Sequence, residues 1–102
     1  MILRATVLAL GLGCALAGAA AAQDAVEAGK EVYLNYCVNC HGYDLLSSGT
    51  TFDLRRLKAS DRGRFVNSVL KGKGQMPPWG DVLEPRELDA LWAYVRANAN
   101  ER

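Results

Sequence analysis

Two cysteines and a histidine lie within five consecutive residues of this sequence, in the run Cys-Val-Asn-Cys-His at residues 37–41. The thiols of Cys37 and Cys40, about one helical turn apart, can each form a thioether with a vinyl group on one edge of a porphyrin. The imidazole of His41 can then reach the iron. The motif therefore predicts one haem c, bound covalently through Cys37 and Cys40 and ligated by His41.

The same run fits two other kinds of site less well. A thioredoxin-like redox pair belongs where a strand leads into a helix, and no such strand precedes Cys37. A zinc site needs two further Cys or His ligands. His41 is the only histidine, and the only other cysteine, Cys14, lies in the N-terminal segment, which we predict below to be cleaved off. The sequence therefore favours haem over zinc or a redox dithiol.

Met76 is the only methionine besides Met1, which makes it the candidate for a second axial ligand of the iron. It precedes Pro77 and Pro78 in a glycine-rich segment that predicts a stiff, extended loop. A lone methionine is otherwise a flexible filler of hydrophobic cores, and that role stays open. A thioether opposite an imidazole raises the potential of a haem and leaves no axial position for a substrate. The pair predicts an electron carrier and not an enzyme.

The N-terminus has the pattern of a secretory signal peptide. After Arg4 comes an apolar run of about twelve residues, short of the roughly 20 that span a bilayer. The small residues Ala20 to Ala22 offer an Ala-x-Ala cleavage site. We predict a signal peptide at residues 1–22 and a periplasmic domain at residues 23–102 that does not span the membrane. Two alternatives are a leader retained as an anchor and acylation of Cys14 as in a lipoprotein.

Size and charge restrict the kinds of partner. The predicted mature chain has about 80 residues, one small domain whose core needs an added source of stability such as a covalent cofactor. Without Arg4, eleven basic residues balance eleven acidic ones, and no run of like charge is long enough for nucleic acid. Seven basic residues and one acidic residue nevertheless lie in residues 55–73. This basic stretch is either a solvated face or a surface that attracts an acidic partner.

Apolar residues recur at helical spacing in three segments. The first covers residues 24–39. The second follows Ser60 as N-cap and ends before Gly72, and the third begins at Pro85 and ends near Asn98. No stretch alternates as a strand does. The sequence therefore predicts an all-α fold of three to four helices and loops wrapped around one haem.

These features resemble the class I cytochromes c over residues 25–98. The resemblance rests on a first helix with Gly29, the haem motif, the Met76 loop and an aromatic-rich last helix. It implies the cytochrome c fold, in which the first and last helices cross. Gly29 would then face Trp92 or Tyr94, because a glycine lets two helix backbones approach closely.

A narrower resemblance links two segments to small periplasmic cytochromes that accept electrons from quinoprotein alcohol dehydrogenases. The segments are Phe-Val-Asn-Ser-Val at residues 65–69 and Met-Pro-Pro-Trp-Gly-Asp at residues 76–81. It implies a monomeric carrier that takes single electrons from a dehydrogenase and delivers them to a terminal oxidase or another cytochrome. The alternatives are a fixed haem subunit of a larger respiratory or dehydrogenase complex and a ligand-binding haem enzyme.

The sequence departs from the family pattern at one point. Class I cytochromes usually carry a proline after the haem motif whose carbonyl accepts a hydrogen bond from the proximal histidine. No proline lies between His41 and Met76. Only 34 residues separate these two positions, so little chain covers one side of the haem. An exposed haem edge is therefore expected.

Further side chains are candidates for the haem pocket. The indole N–H of Trp79 and the guanidinium groups of Arg55 and Arg56 suit the carboxylates of haem propionates. Their alternative roles are core packing for Trp79 and surface charge for the two arginines. Tyr43 and Phe52 are expected in the pocket wall.

Overall fold

The computed structural model describes the backbone of residues 2–47 and 49–100, and the side chains of these ranges from residue 18 onwards. Its helices are α1 (Ile2–Tyr36), α2 (Val38–His41), α3 (Arg62–Lys71) and α4 (Pro85–Ala97). Three 3-10 turns join them, Tyr43–Leu45, Leu54–Arg56 and Ala59–Asp61. The described ranges contain no strand, and the all-α prediction is confirmed. The predicted acylation site, Cys14, lies outside the described side chains.

The first and last helices pack closely against each other. The face of α1 that meets α4 contains the buried residues Gly29, Val32 and Tyr33. A Cβ atom at Gly29 would overlap the carbonyl oxygen of Ala90 and lie 2.9 Å from the Cβ atom of Tyr94. Only glycine allows this approach. The rings of Tyr33 and Tyr94 lie 5.3 Å apart, so the predicted contact between Gly29 and Tyr94 is confirmed.

Trp92, the other predicted partner of Gly29, makes a different contact, and that alternative is wrong. Its ring packs against Phe65 of α3, with centroids 5.0 Å apart. Residues two apart on a helix point to nearly opposite sides, so Tyr94 reaches α1 while Trp92 reaches α3. α4 therefore contacts both α1 and α3.

The start of α4 agrees with the prediction. Pro85 is its first residue, where a proline sacrifices no helical hydrogen bond. The backbone N–H of Glu84 donates to the carboxylate of Glu87 at 3.0 Å, which completes a capping box. Leu88 and Leu91 then face the core.

The start of α3 differs from the prediction, because α3 begins at Arg62 and Ser60 is not its N-cap. Ser60 lies in the exposed 3-10 turn that precedes the helix. The carboxylate of Asp61 accepts a hydrogen bond from the backbone N–H of Lys58 at 2.8 Å. A charged acceptor binds a backbone donor more strongly than a hydroxyl does, so the acidic residue closes this turn.

Arg55 holds the loop that follows α2. Asp44 and Leu45 have left-handed backbone conformations, with φ of 56° and 64°. Such conformations are strained for residues with a side chain, but the side chain of Leu45 is buried, only 1% exposed. The guanidinium group of Arg55 donates two hydrogen bonds to the carbonyl oxygen of Asp44, at 3.0 and 2.6 Å. Burial of Leu45 and the bonds from Arg55 together offset the strain.

α1 continues without a break into the region predicted as a signal peptide. Residues 18–24 are exposed, and among the described side chains of α1 the first buried position is Gly29. In the described part of the chain, no helix combines the length and the apolar character needed to cross a membrane.

Candidate haem site

A cavity of about 540 Å³ lies among the four helices and the loops that flank α3. This volume is typical of sites for organic ligands, roughly 300–1,000 Å³. Four of its lining residues carry the groups that the sequence predicts for haem: Cys37, Cys40, His41 and Met76. Most of the remaining wall is apolar or aromatic: Tyr33, Tyr36, Phe52, Leu54, Leu57, Phe65, Val69, Pro77, Trp79, Leu91 and Val95. The fold thus brings the four predicted groups into one largely apolar space.

The two thiols lie where α1 passes into α2. The backbone N–H of Cys37 still donates to the carbonyl of Tyr33 at 2.8 Å, as within a helix. The N–H groups of Cys40 and His41 both donate to the carbonyl of Cys37, at 3.2 and 2.9 Å. Both cysteines are free, Cys37 half-buried and Cys40 exposed. Burial, with a smaller effect of the neighbouring Cys40, raises the pKa of Cys37 to about 11, so this thiol is protonated at neutral pH.

His41 ends α2 with its imidazole half-buried in the cavity. Burial lowers its pKa below 6.5, and the backbone of Phe52 offsets part of that effect. The imidazole is therefore neutral at pH 7, which is the form that binds metals.

Met76 comes from the segment between α3 and α4. Its half-buried side chain contacts the hydrophobic core and also lines the cavity. Trp79 lines the same cavity, and its ring lies 5.2 Å from that of Tyr36. Trp79 therefore packs against Tyr36, as expected for the alternative role of core packing, and it also lies beside the space where a haem would bind.

Arg55 and Arg56 are not among the residues that line the cavity. The guanidinium group of Arg55 binds the carbonyl of Asp44, and Arg56 is exposed. The cavity is lined instead by Arg64 and Lys73, which were not singled out as pocket residues. Both belong to the basic stretch of residues 55–73. Which residues of this stretch line the cavity depends on the direction in which each side chain leaves the backbone, and on the contact between Arg55 and Asp44.

Phe52 lies in the cavity wall as predicted, but Tyr43 does not. Tyr43 is 74% exposed, because it begins the strained 3-10 turn whose buried residue is Leu45. The guanidinium carbon of Arg64 stands 4.9 Å from the centre of the Phe52 ring. This cation–π contact places a positive charge at the rim of the cavity.

Comparisons with known proteins indicate the family of this chain. Residues 24–95 match the family described as cytochrome c oxidase, cbb3-type, subunit III. Quinohemoprotein alcohol dehydrogenase ADH IIB of Pseudomonas putida is 36% identical over 79% of this chain, which spans only 12% of that enzyme. Cytochrome c6 of Bryopsis maxima is 30% identical over 74% of this chain and 94% of its own length. The cbb3-type cytochrome c oxidase subunit FixP of Azorhizobium caulinodans is 33% identical over 70% of this chain and 26% of its own. No solved structure matches significantly.

The chain belongs to the cytochrome c family. Members of this family bind haem c covalently, and a single haem fits a domain of this size. The predictions of one covalent haem c and of an electron-carrying cytochrome are therefore confirmed. Cytochromes of this family are carriers and not enzymes, although cbb3 oxidase subunits belong to enzyme complexes.

The imidazole of this cytochrome carries one unsatisfied atom. Nδ1 of His41 is buried and has no hydrogen bond partner in the described part of the chain. A buried polar atom of this kind is rare and marks a functional site or a missing partner. The backbone of Phe52 is close enough to affect the pKa of His41, but it completes no hydrogen bond to Nδ1. The cavity of this cytochrome, with its two thiols, neutral imidazole and thioether, fits a haem.

Proposed function

We propose that this cytochrome carries single electrons on a haem c that is bound through thioether bonds to Cys37 and Cys40 and ligated by His41 and Met76. The observation that supports this assignment is the convergence of all four groups on one cavity. When bound, the haem supplies a one-electron iron couple whose potential a methionine ligand raises.

Each residue has a separate task. Cys37 and Cys40 fix one edge of the porphyrin, so the cofactor cannot dissociate. His41, kept neutral by burial, offers a nitrogen lone pair to the iron. The thioether of Met76 would be the second protein ligand of the iron and would leave no coordination site for other ligands. Trp79 can donate its indole N–H to a propionate, whereas the propionate contacts predicted for Arg55 and Arg56 gain no support from the cavity lining.

The absorption spectrum of the purified ferric protein tests this assignment. We expect a low-spin spectrum with the weak near-infrared band of methionine ligation, and we expect this band to persist when cyanide or azide is added in modest excess. A high-spin spectrum, or rapid loss of the band, would contradict the assignment. It would favour the alternative of a ligand-binding haem enzyme.

We further propose that the electron donor is a periplasmic dehydrogenase, of the quinoprotein alcohol dehydrogenase class, and that the acceptor is a terminal oxidase or another cytochrome. The match to ADH IIB supports the donor, because that enzyme is a quinohemoprotein alcohol dehydrogenase. Arg64 and Lys73, both exposed at the cavity rim, suit a small, transient interface with an acidic surface.

Ionic strength provides the test of this docking. Reduction by the true donor should slow as salt is added, because salt screens attraction between exposed charges. An Arg64→Gln variant should show a weaker salt dependence than wild type. The control is Arg86→Gln, since Arg86 is exposed and stands outside the cavity, at the start of α4. A reduction rate that is indifferent to salt would remove the steering role.

A fixed haem subunit of a larger complex is the second candidate function. It is favoured by the match of residues 24–95 to cbb3-type oxidase subunit III and by the similarity to FixP. A free carrier is expected to elute as a monomer from the periplasmic fraction. Co-elution with oxidase or dehydrogenase subunits in stoichiometric amounts would establish the subunit role and exclude the free carrier.

The periplasmic location is also a proposal. We infer that cleavage after Ala22 releases residues 23–102. Because residues 18–22 are exposed, this cleavage removes no buried residue among the described side chains. The mass of the mature protein tests it. Gln23 is expected as the N-terminus, and a mass that includes Cys14 with attached lipid would contradict it.

A further inference from the structure

The segment between α3 and α4 is closed on itself by backbone hydrogen bonds. The N–H of Lys73 donates to the carbonyl of Met76, and the N–H of Met76 donates to the carbonyl of Lys73, both at 3.0 Å. Further along, the N–H of Trp79 donates to the carbonyl of Val69 in α3 at 2.8 Å. Residues 72–80 therefore form an arch that stands on the last turn of α3. We call it the Met76 arch.

Gly72 is the first residue of this arch, and its Cα atom faces the middle of the arch. Its φ is +77°, a left-handed conformation that side chains rarely adopt. A Cβ atom there would lie 2.6 Å from the carbonyl oxygen of Met76, 3.0 Å from the nitrogen of Pro78 and 3.2 Å from the carbonyl carbon of Pro77. All three are backbone atoms, and the two prolines stiffen the chain that carries them. The arch can relieve such an overlap only by moving away from α3.

Two neighbouring glycines do not share this crowding. Gly74, inside the arch, has φ +58°, but a Cβ atom there would meet no atom within 4 Å. Gly63, in α3, has an ordinary helical backbone, and a Cβ atom there would likewise meet no atom within 4 Å. Gly74 therefore isolates backbone strain from crowding, and Gly63 has neither.

From this geometry we infer that Gly72 is a positioning residue for the iron ligand. Its missing side chain lets the arch close on α3 and holds the thioether of Met76 in the cavity. The inference rests on the proposed function, in which Met76 ligates the iron. The hydrogen bonds that close the arch come from the protein backbone, so they preorganise the ligand and need no contribution from the iron–sulfur bond.

Cyanide binding to the ferric holoprotein measures how often Met76 leaves the iron. Apparent affinity scales with the fraction of molecules in the binding-competent state, so Gly72→Ala should raise cyanide affinity about tenfold or more. The near-infrared band should weaken, while haem content per chain stays at the wild-type level. Gly74→Ala and Gly63→Ala should stay within about twofold of wild type in cyanide affinity.

Two outcomes overturn the inference. One is a Gly72→Ala protein with the wild-type band and cyanide affinity. The other is an equal rise in cyanide affinity in Gly74→Ala, which would show that backbone strain alone acts and that crowding beneath the arch does not. Failure of the proposed function looks different, because wild type itself would then lack the band.

A second variant serves if Gly72→Ala yields no folded holoprotein. A Cβ atom at Gly80 would lie 3.0 Å from the carbonyl oxygen of Leu70, and Gly80 has no positive φ. Gly80→Ala therefore crowds the last residue of the arch against α3 without adding backbone strain. It should raise cyanide affinity about threefold over Gly63→Ala, since it shifts the same population. No difference between these two variants would also overturn the inference.

Discussion

The two proposed axial ligands are held in different ways. On the histidine side, α2 follows α1 after the single residue Cys37, and the Tyr33 hydroxyl donates a hydrogen bond to the carbonyl of Gly42, directly after His41. Gly42 has φ +81°, and a Cβ atom there would overlap the carbonyl oxygen of Leu46. On the methionine side, Met76 stands in a loop that is held by backbone hydrogen bonds to itself and to α3, and by the packing of Trp79 against Tyr36.

Because of this difference, we expect damage to the two sides to have different effects, on the free energy of unfolding in one case and on ligation of the iron in the other. The histidine side combines two consecutive helices, a partly buried hydrogen bond and two proposed covalent bonds to the cofactor. Damage there should therefore cost folding free energy before it costs the iron ligand. The methionine side has no covalent link to the cofactor. Damage there should change ligation, and with it the potential, before it changes the amount of haem bound.

The largest expected effect is loss of the cofactor itself. Replacing both motif thiols, with Cys37→Ser and Cys40→Ser, should abolish covalent haem, because no thioether bond can then form. Haem-stained denaturing gels and the haem content per chain measure this. Cys14→Ser is the matched control and should leave covalent haem unchanged. Covalent haem that persists without Cys37 and Cys40 would disprove the assignment of the motif.

Met76→Leu should separate the ligand role from core filling. Leucine has a similar volume, so packing costs less than about 1.5 kcal/mol, but it cannot bind iron. We expect haem content to persist and the midpoint potential to fall by on the order of 100 mV, part of the roughly 0.8 V range over which axial ligands tune haem. A wild-type potential and near-infrared band in Met76→Leu would mean that Met76 only fills the core.

The histidine side can be tested with the glycine that follows His41. Gly42→Ala forces a side chain into a left-handed turn against a backbone carbonyl, and should lower the free energy of unfolding by roughly 1–3 kcal/mol. The near-infrared band and haem content should remain. Gly49→Ala is the control, with φ +98° but no atom within 4 Å. Loss of methionine ligation in Gly42→Ala, with stability unchanged, would reverse the comparison.

The smallest effect concerns Tyr33 and alkaline pH. Tyr33→Phe removes the hydrogen bond to Gly42 and should cost about 1 kcal/mol of unfolding free energy. Burial raises the pKa of Tyr33 above its ordinary value of 10.0, with smaller contributions from neighbouring groups. The unfolded chain therefore loses this proton first, so stability is fully present below about pH 10 and falls as pH rises above it.

Denaturant unfolding between pH 8 and about 11, a range that spans the ordinary tyrosine pKa, checks whether stability falls as pH rises. Wild type should lose stability over the upper part of this range. Tyr33→Phe should lose less, with the remaining fall due to Tyr94, whose pKa is also raised by burial. An equal or steeper fall in the variant would show that Tyr33 is not the group that titrates.

Much of the fold and site follows from local patterns in the sequence. Helical periodicity predicts the part of α1 from residue 24 onwards and predicts α4, since Tyr33 and Leu91 recur on faces that must be buried. Motif spacing predicts Cys37, Cys40 and His41, and the composition alone leaves Met76 as the candidate thioether. These features depend on residues that are close in sequence, whose relative positions follow from the geometry of a helix.

Contacts between distant segments could not be predicted in this way. The hydrogen bonds from the guanidinium group of Arg55 to the carbonyl of Asp44 are one example, because they depend on the left-handed turn at Asp44. The roles of Arg64 at the rim of the cavity and of Gly72 in the Met76 arch depend on which chain segment passes nearby. Helical spacing gives no information about such approaches, because they are set by loops of irregular conformation.

The most direct test is the crystal structure of the ferric, haem-loaded protein. We expect thioether bonds from Cys37 and Cys40, with Nε2 of His41 and Sδ of Met76 bound to the iron on opposite faces of the haem. A sixth position that is open, or that is filled by water or another side chain, would contradict the assignment of a closed electron carrier.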